Sequence, residues 1–144
     1  MMAYFTTAGG TLWSIDGNTQ EIKEVKVFAE DPIRWVGEQI SYLDSFCRLK
    51  DSIYFVANRT ELWKSDGTSE GTTIVETLND TIIGVSAVND HYLLLAVGSN
   101  QMRASDGSSA STILTMEAEA PILRGWKQDL VPGSQKALFL ALGN

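Results

Sequence analysis

Apolar residues in this sequence form short runs that end at turn-forming residues. The runs Ser52 to Asn58 and Tyr92 to Gly98 are rich in aromatic and branched residues, and Glu61 to Ser65 makes a third. Runs of this kind, bounded by glycine, asparagine or aspartate, predict β-strands. No stretch shows a convincing helical period. The pattern therefore predicts an all-β protein.

Three Asp-Gly pairs, beginning at Asp16, Asp66 and Asp106, mark an internal repeat. Twelve residues before each aspartate stands an apolar pair: Tyr4-Phe5, Tyr54-Phe55 and Leu94-Leu95. A second pair lies between these features: Leu12-Trp13, Leu62-Trp63 and Met102-Arg103. A fourth copy begins at Phe139-Leu140, 45 residues after Leu94-Leu95. Fixed offsets in successive copies indicate one structural unit repeated along the chain.

Each unit contains four predicted strands in about 45 residues, the size of a β-propeller blade. The strands that follow the Asp-Gly turns are Thr72 to Leu78 and Ser111 to Glu117. The strands that open the units are Ile40 to Arg48, Ile82 to Val88 and Leu123 to Leu130, and Gln135 to Leu142 is the second strand of the last unit. Because Tyr92 to Val97 is apolar on both faces, neighbouring sheets are expected to cover it.

We therefore expect one domain over 1–144, built from β-propeller-type blades of four antiparallel strands. About three and a quarter repeats are present, with units at approximately 1–30, 31–78, 79–118 and an incomplete 119–144. An open arc of such blades exposes two apolar faces and unpaired strand edges, which invite association. The expected partners are thus a second copy or further blades from a longer chain.

Residues 61–72 read Glu-Leu-Trp-Lys-Ser-Asp-Gly-Thr-Ser-Glu-Gly-Thr and resemble the bacterial ELWxxDGT repeat, whose usual form is ELWKSDGTxxGT. The best match covers 52–78, and weaker copies lie at 3–28 and 92–117. The resemblance implies a propeller and a place in large bacterial surface or secreted proteins. It implies no shared reaction or ligand.

Charge and composition narrow the possible partners. The net charge of −7 with dispersed basic residues disfavours nucleic acid and anionic membranes. No apolar run has the roughly 18 residues that a membrane helix needs, and residues 1–5 lack a signal-peptide pattern. The localisation therefore stays open, and no membrane insertion and no cofactor are expected. Cys47, the single cysteine, is expected to be a buried structural thiol.

The repeated aspartates could be imagined around a metal ion, but they would lie on three different blades. Their spacing is not that of a calcium loop, so we expect no metal site and no catalytic residue. The expected role is structural, in tight hairpins whose glycines adopt positive φ, at Asp16, Gly17, Asp66, Gly67, Asp106 and Gly107. Trp13 and Trp63 are expected to pack between blades, and His91 to lie in a surface turn.

The candidate ligand-binding residues are Arg34, Trp35, Arg124 and Trp126. They stand before or at the start of the first strands of their blades, in segments with proline or glycine, where loops line one end of a propeller. Arginine and tryptophan are also enriched at binding hot spots. In the alternative interpretation, the tryptophans cover blade edges and the arginines lie over them.

The sequence favours a non-enzymatic binding or scaffold module whose ligand is a glycan or a protein. One alternative is a fragment of a sialidase-like propeller glycosidase, for which Arg34 and Arg124 could begin an arginine cluster. Another is a degenerate gene fragment without a function of its own.

Overall fold

The chain forms antiparallel β-sheets, as the repeat predicts. The computed structural model describes residues 2–7, 10–28, 43–88, 90–98, 101–108, 112–117, 131–132 and 137–138. No helix occurs among these residues, so this part of the chain contains no helix that could span a bilayer.

The strands pair in chain order, each with the next, to give successive meanders. Sheet 1 contains β1 (Met2–Thr6), β2 (Thr11–Asp16) and β3 (Ile22–Val27). Sheet 2 contains β4 (Leu43–Leu49), β5 (Ser52–Ala57), β6 (Glu61–Ser65) and β7 (Thr73–Thr77). Sheet 3 contains β8 (Ile82–Val88), β9 (Tyr92–Val97), β10 (Gln101–Ser105) and β11 (Thr112–Glu117).

The last unit is described only in part. β12 (Val131–Pro132) pairs antiparallel with β13 (Ala137–Leu138), which lies inside the strand predicted at Gln135 to Leu142. The strand predicted at Leu123 to Leu130 lies outside the described residues.

Side chains alternate along the strands of sheet 2, and both faces are buried. Phe55, Ala57 and Trp63 form one apolar cluster with Leu12 and Val25 of sheet 1. Tyr54, Val56 and Leu62 form the other with Val85, Leu93 and Leu95 of sheet 3. Leu62 and Trp63, adjacent on β6, are 0% and 9% exposed and point to opposite neighbours. The prediction that sheets cover both faces of the repeat is therefore confirmed for sheet 2.

The same strand positions meet at both sheet interfaces. A bulge falls between Leu12 and Trp13 opposite β3, and the corresponding bulge falls between Leu62 and Trp63 opposite β7. The extra residue of the bulge is Val25 in β3 and Val75 in β7, and each is buried against the next sheet. The first strands of sheets 2 and 3, β4 and β8, also lie in contact. The sheets are thus stacked face to face with one repeated geometry.

Cys47 on β4 is half-buried rather than fully buried, and it packs against the cluster between sheets 2 and 3. His91 is exposed in the turn between β8 and β9, as expected.

Candidate functional site

The repeated Asp-Gly loops are the first candidate site, and the middle one is held by side-chain hydrogen bonds. Asp66 Oδ1 accepts hydrogen bonds from the backbone amide of Thr68 at 2.9 Å and from its hydroxyl at 2.7 Å. The Thr68 Oγ1 in turn accepts the amide of Gly71 at 2.9 Å. A Cβ on Gly71 would overlap the Asp66 carboxylate, so only glycine fits there without a shift. The Asp66 carboxylate therefore stabilises the turn in which it lies.

A chain of buried hydroxyls closes the same loop from inside. The Gly67 amide donates to Ser65 Oγ at 3.1 Å, and Ser65 Oγ lies 2.7 Å from Thr72 Oγ1. Thr72 Oγ1 donates to the carbonyl of Thr68, so the Ser65 hydroxyl donates to Thr72. Ser65 and Thr72 are 0% and 2% exposed. Because buried polar atoms need partners, this network gives the serine before Asp-Gly and the final threonine of the motif a physical role.

The third loop repeats part of this arrangement. The Gly107 amide donates to Ser105 Oγ at 3.1 Å, and the Ser108 amide donates to Asp106 Oδ1 at 2.8 Å. Gly107 has φ of 84°, and Gly67 has φ of 97°. Positive φ was predicted for both glycines and is observed.

The first loop differs, and two predictions about the turns are wrong. Gly17 does not adopt positive φ; that conformation falls instead on Gln20, at 60°. Ile15 stands where Ser65 and Ser105 stand in the other copies, so no hydroxyl at that position can hold the glycine amide. The loops are also longer than two-residue hairpin turns, since β6 ends at Ser65 and β7 begins at Thr73.

This difference predicts unequal costs for alanine at equivalent glycines. Gly107→Ala should lower the free energy of unfolding by about 1 kcal/mol or more, because φ is positive and the new Cβ would meet the Tyr54 hydroxyl. Gly17→Ala should change it by less than about 0.5 kcal/mol. Urea titration of both variants measures the difference. Equal costs would contradict the conformations described for these loops.

Hydrogen bonds in the loops favour the charged carboxylates. The pKa of Asp66 lies below its usual value, first because of the Thr68 hydroxyl and then because of the Thr68 amide. The pKa of Asp16 is also lowered, by the amide of Asn18 and then by that of Thr19, both of which donate to Oδ1. Since the folded pKa is below the unfolded one, the stability from each carboxylate is present above the unfolded pKa. It is lost as the pH falls through the folded pKa.

Thr68→Val should therefore raise the pKa of Asp66 toward its ordinary value, because it removes the largest cause of the shift. The pKa of Asp16 should not change, because its partners are backbone amides of another loop. A carbon-detected NMR titration of the aspartate carboxyls in both proteins measures the two values. An Asp66 pKa that stays low in the valine variant would contradict the role given to the hydroxyl.

The three Asp-Gly loops lie on three different sheets, and the structure does not bring their carboxylates together as one site. Within the described ranges, no group of three or more His, Cys, Asp or Glu side chains is placed to hold a metal ion. The candidate ligand-binding residues Arg34, Trp35, Arg124 and Trp126 lie outside the described residues.

The sheet interfaces contain matched polar pairs that the sequence did not predict. Lys26 Nζ of sheet 1 lies 5.1 Å from the centroid of the Trp63 ring in sheet 2. Arg103 occupies the position of Trp63 one repeat later, and its Nη2 lies 2.8 Å from Oε1 of Glu76. Lys26 and Glu76 are equivalent, because they pair with Leu12 and Leu62 at the same place in the repeat. The same two positions of the repeat therefore form a cation–π contact between sheets 1 and 2 and a salt bridge between sheets 2 and 3.

The tyrosine of the repeat reaches the Asp-Gly loop of the next sheet. The Tyr54 hydroxyl donates to the carbonyl of Gly107 at 3.1 Å. Tyr4 of sheet 1 contacts the Asp-Gly loop of sheet 2 in the same way, because its hydroxyl would lie 3.0 Å from a Cβ added to Gly67. Burial raises the pKa of both phenols. At both interfaces, therefore, the tyrosine of the repeated apolar pair contacts the glycine of the Asp-Gly pair in the next sheet.

Trp13 is half-buried, whereas Trp63 is buried, so the expected packing between blades is confirmed for Trp63 only. The Trp13 ring stacks on Phe5 at 6.3 Å between centroids, yet Phe5 is 41% exposed. Trp63, by contrast, is covered edge-on by Phe28 at 4.9 Å. Among the described residues, the side of sheet 1 that faces away from sheet 2 is therefore less covered than the equivalent side of sheet 2.

Comparison with known proteins rests on the fold. Neither a known family profile nor a curated protein sequence matches the chain. Among solved structures, the chain is similar to BBS1N, whose crystal structure is that of a complex with ARL6DN, with a TM-score of 0.56 at 13% identity. The alignment covers 99% of this chain and 47% of that one, so the chain spans about half the length of the solved chain. BBS1N is a β-propeller domain. The stacked four-stranded meanders described above are accordingly blades of β-propeller type.

Proposed function

We propose that this chain is a non-enzymatic interaction module whose stacked blades present loops to a partner protein. The observation that carries the proposal is that the repeated polar residues support the blades themselves. Asp66 and Asp106 hold their own loops, and Arg103 binds Glu76 across a sheet interface. Polar surface for recognition then comes from the loops at the two ends of the sheets. The similar propeller BBS1N was solved in a complex with a second protein, which supports a protein partner rather than a glycan.

The end that carries the Asp-Gly loops has the chemistry for a basic partner surface. Antiparallel alternation places the β4–β5 and β8–β9 turns at this same end, with exposed carboxylates at Asp51, Asp66, Asp90 and Asp106. Lys50 and Arg48, whose Nε donates to the Lys50 carbonyl, add two positive charges there, and the four carboxylates still outnumber them. Hydrogen bonds keep the pKa of Asp66 low, so this charge persists at moderately acidic pH. A concentration of one sign of charge steers an oppositely charged partner.

The same proposal includes membership of the ELWxxDGT repeat class and a place at the bacterial surface or outside the cell. Its support is that Ser65, Gly67, Gly71 and Thr72, which are letters of that motif, each have a defined contact in the loop. These contacts explain the spacing of the motif as loop chemistry.

Photo-crosslinking in the producing cells tests the placement of the partner. Benzoylphenylalanine replaces Asp90 in one variant and Asn58, exposed in the β5–β6 turn at the opposite end, in the matched control. We expect one protein adduct of defined mass from position 90 and none from position 58. The adduct should weaken when the ionic strength is raised, because exposed charges are screened. Adducts from position 58 alone would contradict the assignment of this end.

A panel of chromogenic glycosides tests the competing hydrolase function. We expect no release of the chromophore by the purified chain. Release that disappears in an Arg34→Ala, Arg124→Ala double variant would overturn the proposal and establish a glycosidase.

A further inference from the structure

We propose that Asp16-Gly17 is a site of spontaneous isoaspartate formation, and that the fold protects the equivalent pairs Asp66-Gly67 and Asp106-Gly107 from the same reaction. The inference concerns a covalent modification of the chain and is independent of the partner proposed above.

The reaction needs only the two residues and water. The backbone nitrogen of Gly17 attacks Cγ of Asp16 and closes a five-membered succinimide ring, while the carboxyl hydroxyl leaves as water together with the amide proton. Water then adds to one of the two ring carbonyls. Opening at Cγ regenerates aspartate, whereas opening at the main-chain carbonyl leaves Gly17 joined through the side chain, as isoaspartate. A glycine in the second position favours the attack, because it has no Cβ to hinder the approach of the nitrogen.

In two of the three loops a hydrogen bond holds the glycine amide. The Gly67 amide donates to Ser65 Oγ, and the Gly107 amide donates to Ser105 Oγ, each at 3.1 Å. Ser65 and Ser105 are 0% and 3% exposed, so water does not replace these acceptors in the folded chain. Attack on the neighbouring carboxyl requires that the nitrogen lose its proton and leave this hydrogen bond. Each of these loops must therefore open locally before the ring can close.

Tyrosines of the preceding sheets cover the same two glycines. The Tyr54 hydroxyl donates to the Gly107 carbonyl at 3.1 Å, and the Tyr4 hydroxyl would lie 3.0 Å from a Cβ added to Gly67. Both glycines are buried. Movement of either glycine backbone into a succinimide ring therefore also disturbs a contact between sheets.

Gly17 lacks these constraints. Ile15 stands at the position of the two serines, and within the described part of the chain the Gly17 amide donates no hydrogen bond. Gly17 is also exposed. The carboxyl groups do not distinguish the loops, because Oδ1 of Asp16 and of Asp66 both accept hydrogen bonds that lower the pKa. The difference between the loops therefore lies in the glycine amide.

Isomerisation would alter the connection between β2 and β3. The Asp16 carbonyl accepts the amide of Gln20 at 2.7 Å, and the Asp16 amide donates to the carbonyl of Glu21 at 3.0 Å. In isoaspartate that Asp16 carbonyl becomes a free carboxylate outside the main chain, and the main chain gains one carbon atom. The modified loop therefore loses the geometry that closes β2 onto β3.

Incubation of the folded chain in mildly acidic buffer tests the proposal, because the carboxyl group must be protonated to release water. Peptide mass spectrometry with electron-transfer fragmentation locates isoaspartate, and an isoaspartate methyltransferase with labelled S-adenosylmethionine measures its amount. We expect isoaspartate to accumulate about tenfold faster at position 16 than at positions 66 and 106, since a hydrogen bond and a local contact must first be broken at the latter two.

The same incubation in guanidinium chloride is the control, because all three pairs are then free of the fold and their rates should become similar. Equal rates in the folded chain, or no isoaspartate at position 16, would overturn the proposal. A preference for position 16 that stays undiminished in guanidinium chloride would show that local sequence sets the reactivity, and would overturn it as well.

Ser65→Ala removes the acceptor of the Gly67 amide. It should raise the rate at position 66 by about fivefold or more and leave the rate at position 16 unchanged. Ser69→Ala is the matched control, because Ser69 is an exposed serine of the same loop; it should change neither rate. Circular dichroism establishes that each variant is folded, and Ser105→Ala makes the same test at position 106 if Ser65→Ala is not. An unchanged rate next to the missing hydroxyl in a folded variant would contradict the protection assigned to it.

Discussion

Trp63→Ala is expected to lower the free energy of unfolding by about 3–5 kcal/mol, the range for large aromatic residues removed from a core. Trp63 is 9% exposed and lies between sheets 1 and 2. The variant loses the edge-on contact with Phe28 and the cation–π contact with Lys26. It also leaves the Glu61 carboxylate without one of its two donors, the other being the Asn58 side chain. The void would lie at the interface that joins the two sheets.

Trp13→Ala is the matched control, because it removes the same side chain at the equivalent strand position of sheet 1. It should cost clearly less than Trp63→Ala, since solvent already reaches its stacked partner Phe5. Urea denaturation at one fixed low protein concentration measures both, so that self-association contributes equally. Equal costs would contradict the difference in covering that the structure shows for the two faces.

The sequence was sufficient to predict the strands of sheets 2 and 3 because the repeat supplied several independent observations of one pattern. The boundaries of β6 and β8 coincide with the predicted runs at Glu61 to Ser65 and Ile82 to Val88. The opposite burial of Leu62 and Trp63 also followed from the sequence, because strand side chains alternate and both positions are apolar.

The loop conformations could not be predicted from the Asp-Gly pair alone. An isolated Asp-Gly favours a two-residue turn, but the observed loops depend on residues at both ends, Ser65 and Thr72 in the middle copy. Ile15 at the serine position removes that constraint in the first copy, and positive φ moves to Gln20. The signal was present in the sequence as the difference between Ile15, Ser65 and Ser105.

The paired residues between sheets were missed because neither member is conspicuous in its own repeat. Lys26 and Glu76 differ in charge, and Trp63 and Arg103 differ in type, so comparing copies makes these positions look degenerate. The stacking of one sheet on the next is what places Lys26 over Trp63 and Glu76 beside Arg103. The variation then has a physical meaning, since sheet 1 placed against sheet 3 would bring Lys26 toward Arg103. Like charges in a desolvated interface are unfavourable, so the pairs favour the observed order of the blades.

Charge reversal at the second interface tests this ordering directly. Glu76→Lys should lower the free energy of unfolding by about 2–3 kcal/mol, somewhat less than for a fully buried pair that loses one partner. The side chains of Arg103 and Glu76 are 19% and 26% exposed, so the variant places two cations together in a partly desolvated contact. Arg103→Glu should cost a similar amount, because it places two carboxylates together.

The double variant Glu76→Lys, Arg103→Glu restores opposite charges in reversed order and should recover at least half of the combined loss, a coupling of about 1–3 kcal/mol. Glu21→Lys is the control, because its partner Lys23 forms an ion pair whose side chains are 59% and 61% exposed. That reversal should cost less than about 0.5 kcal/mol. Urea denaturation of the four variants and the parent completes the cycle. Losses that simply add in the double variant would mean that Glu76 and Arg103 act separately, and the contact would then have no part in fixing the order of the blades.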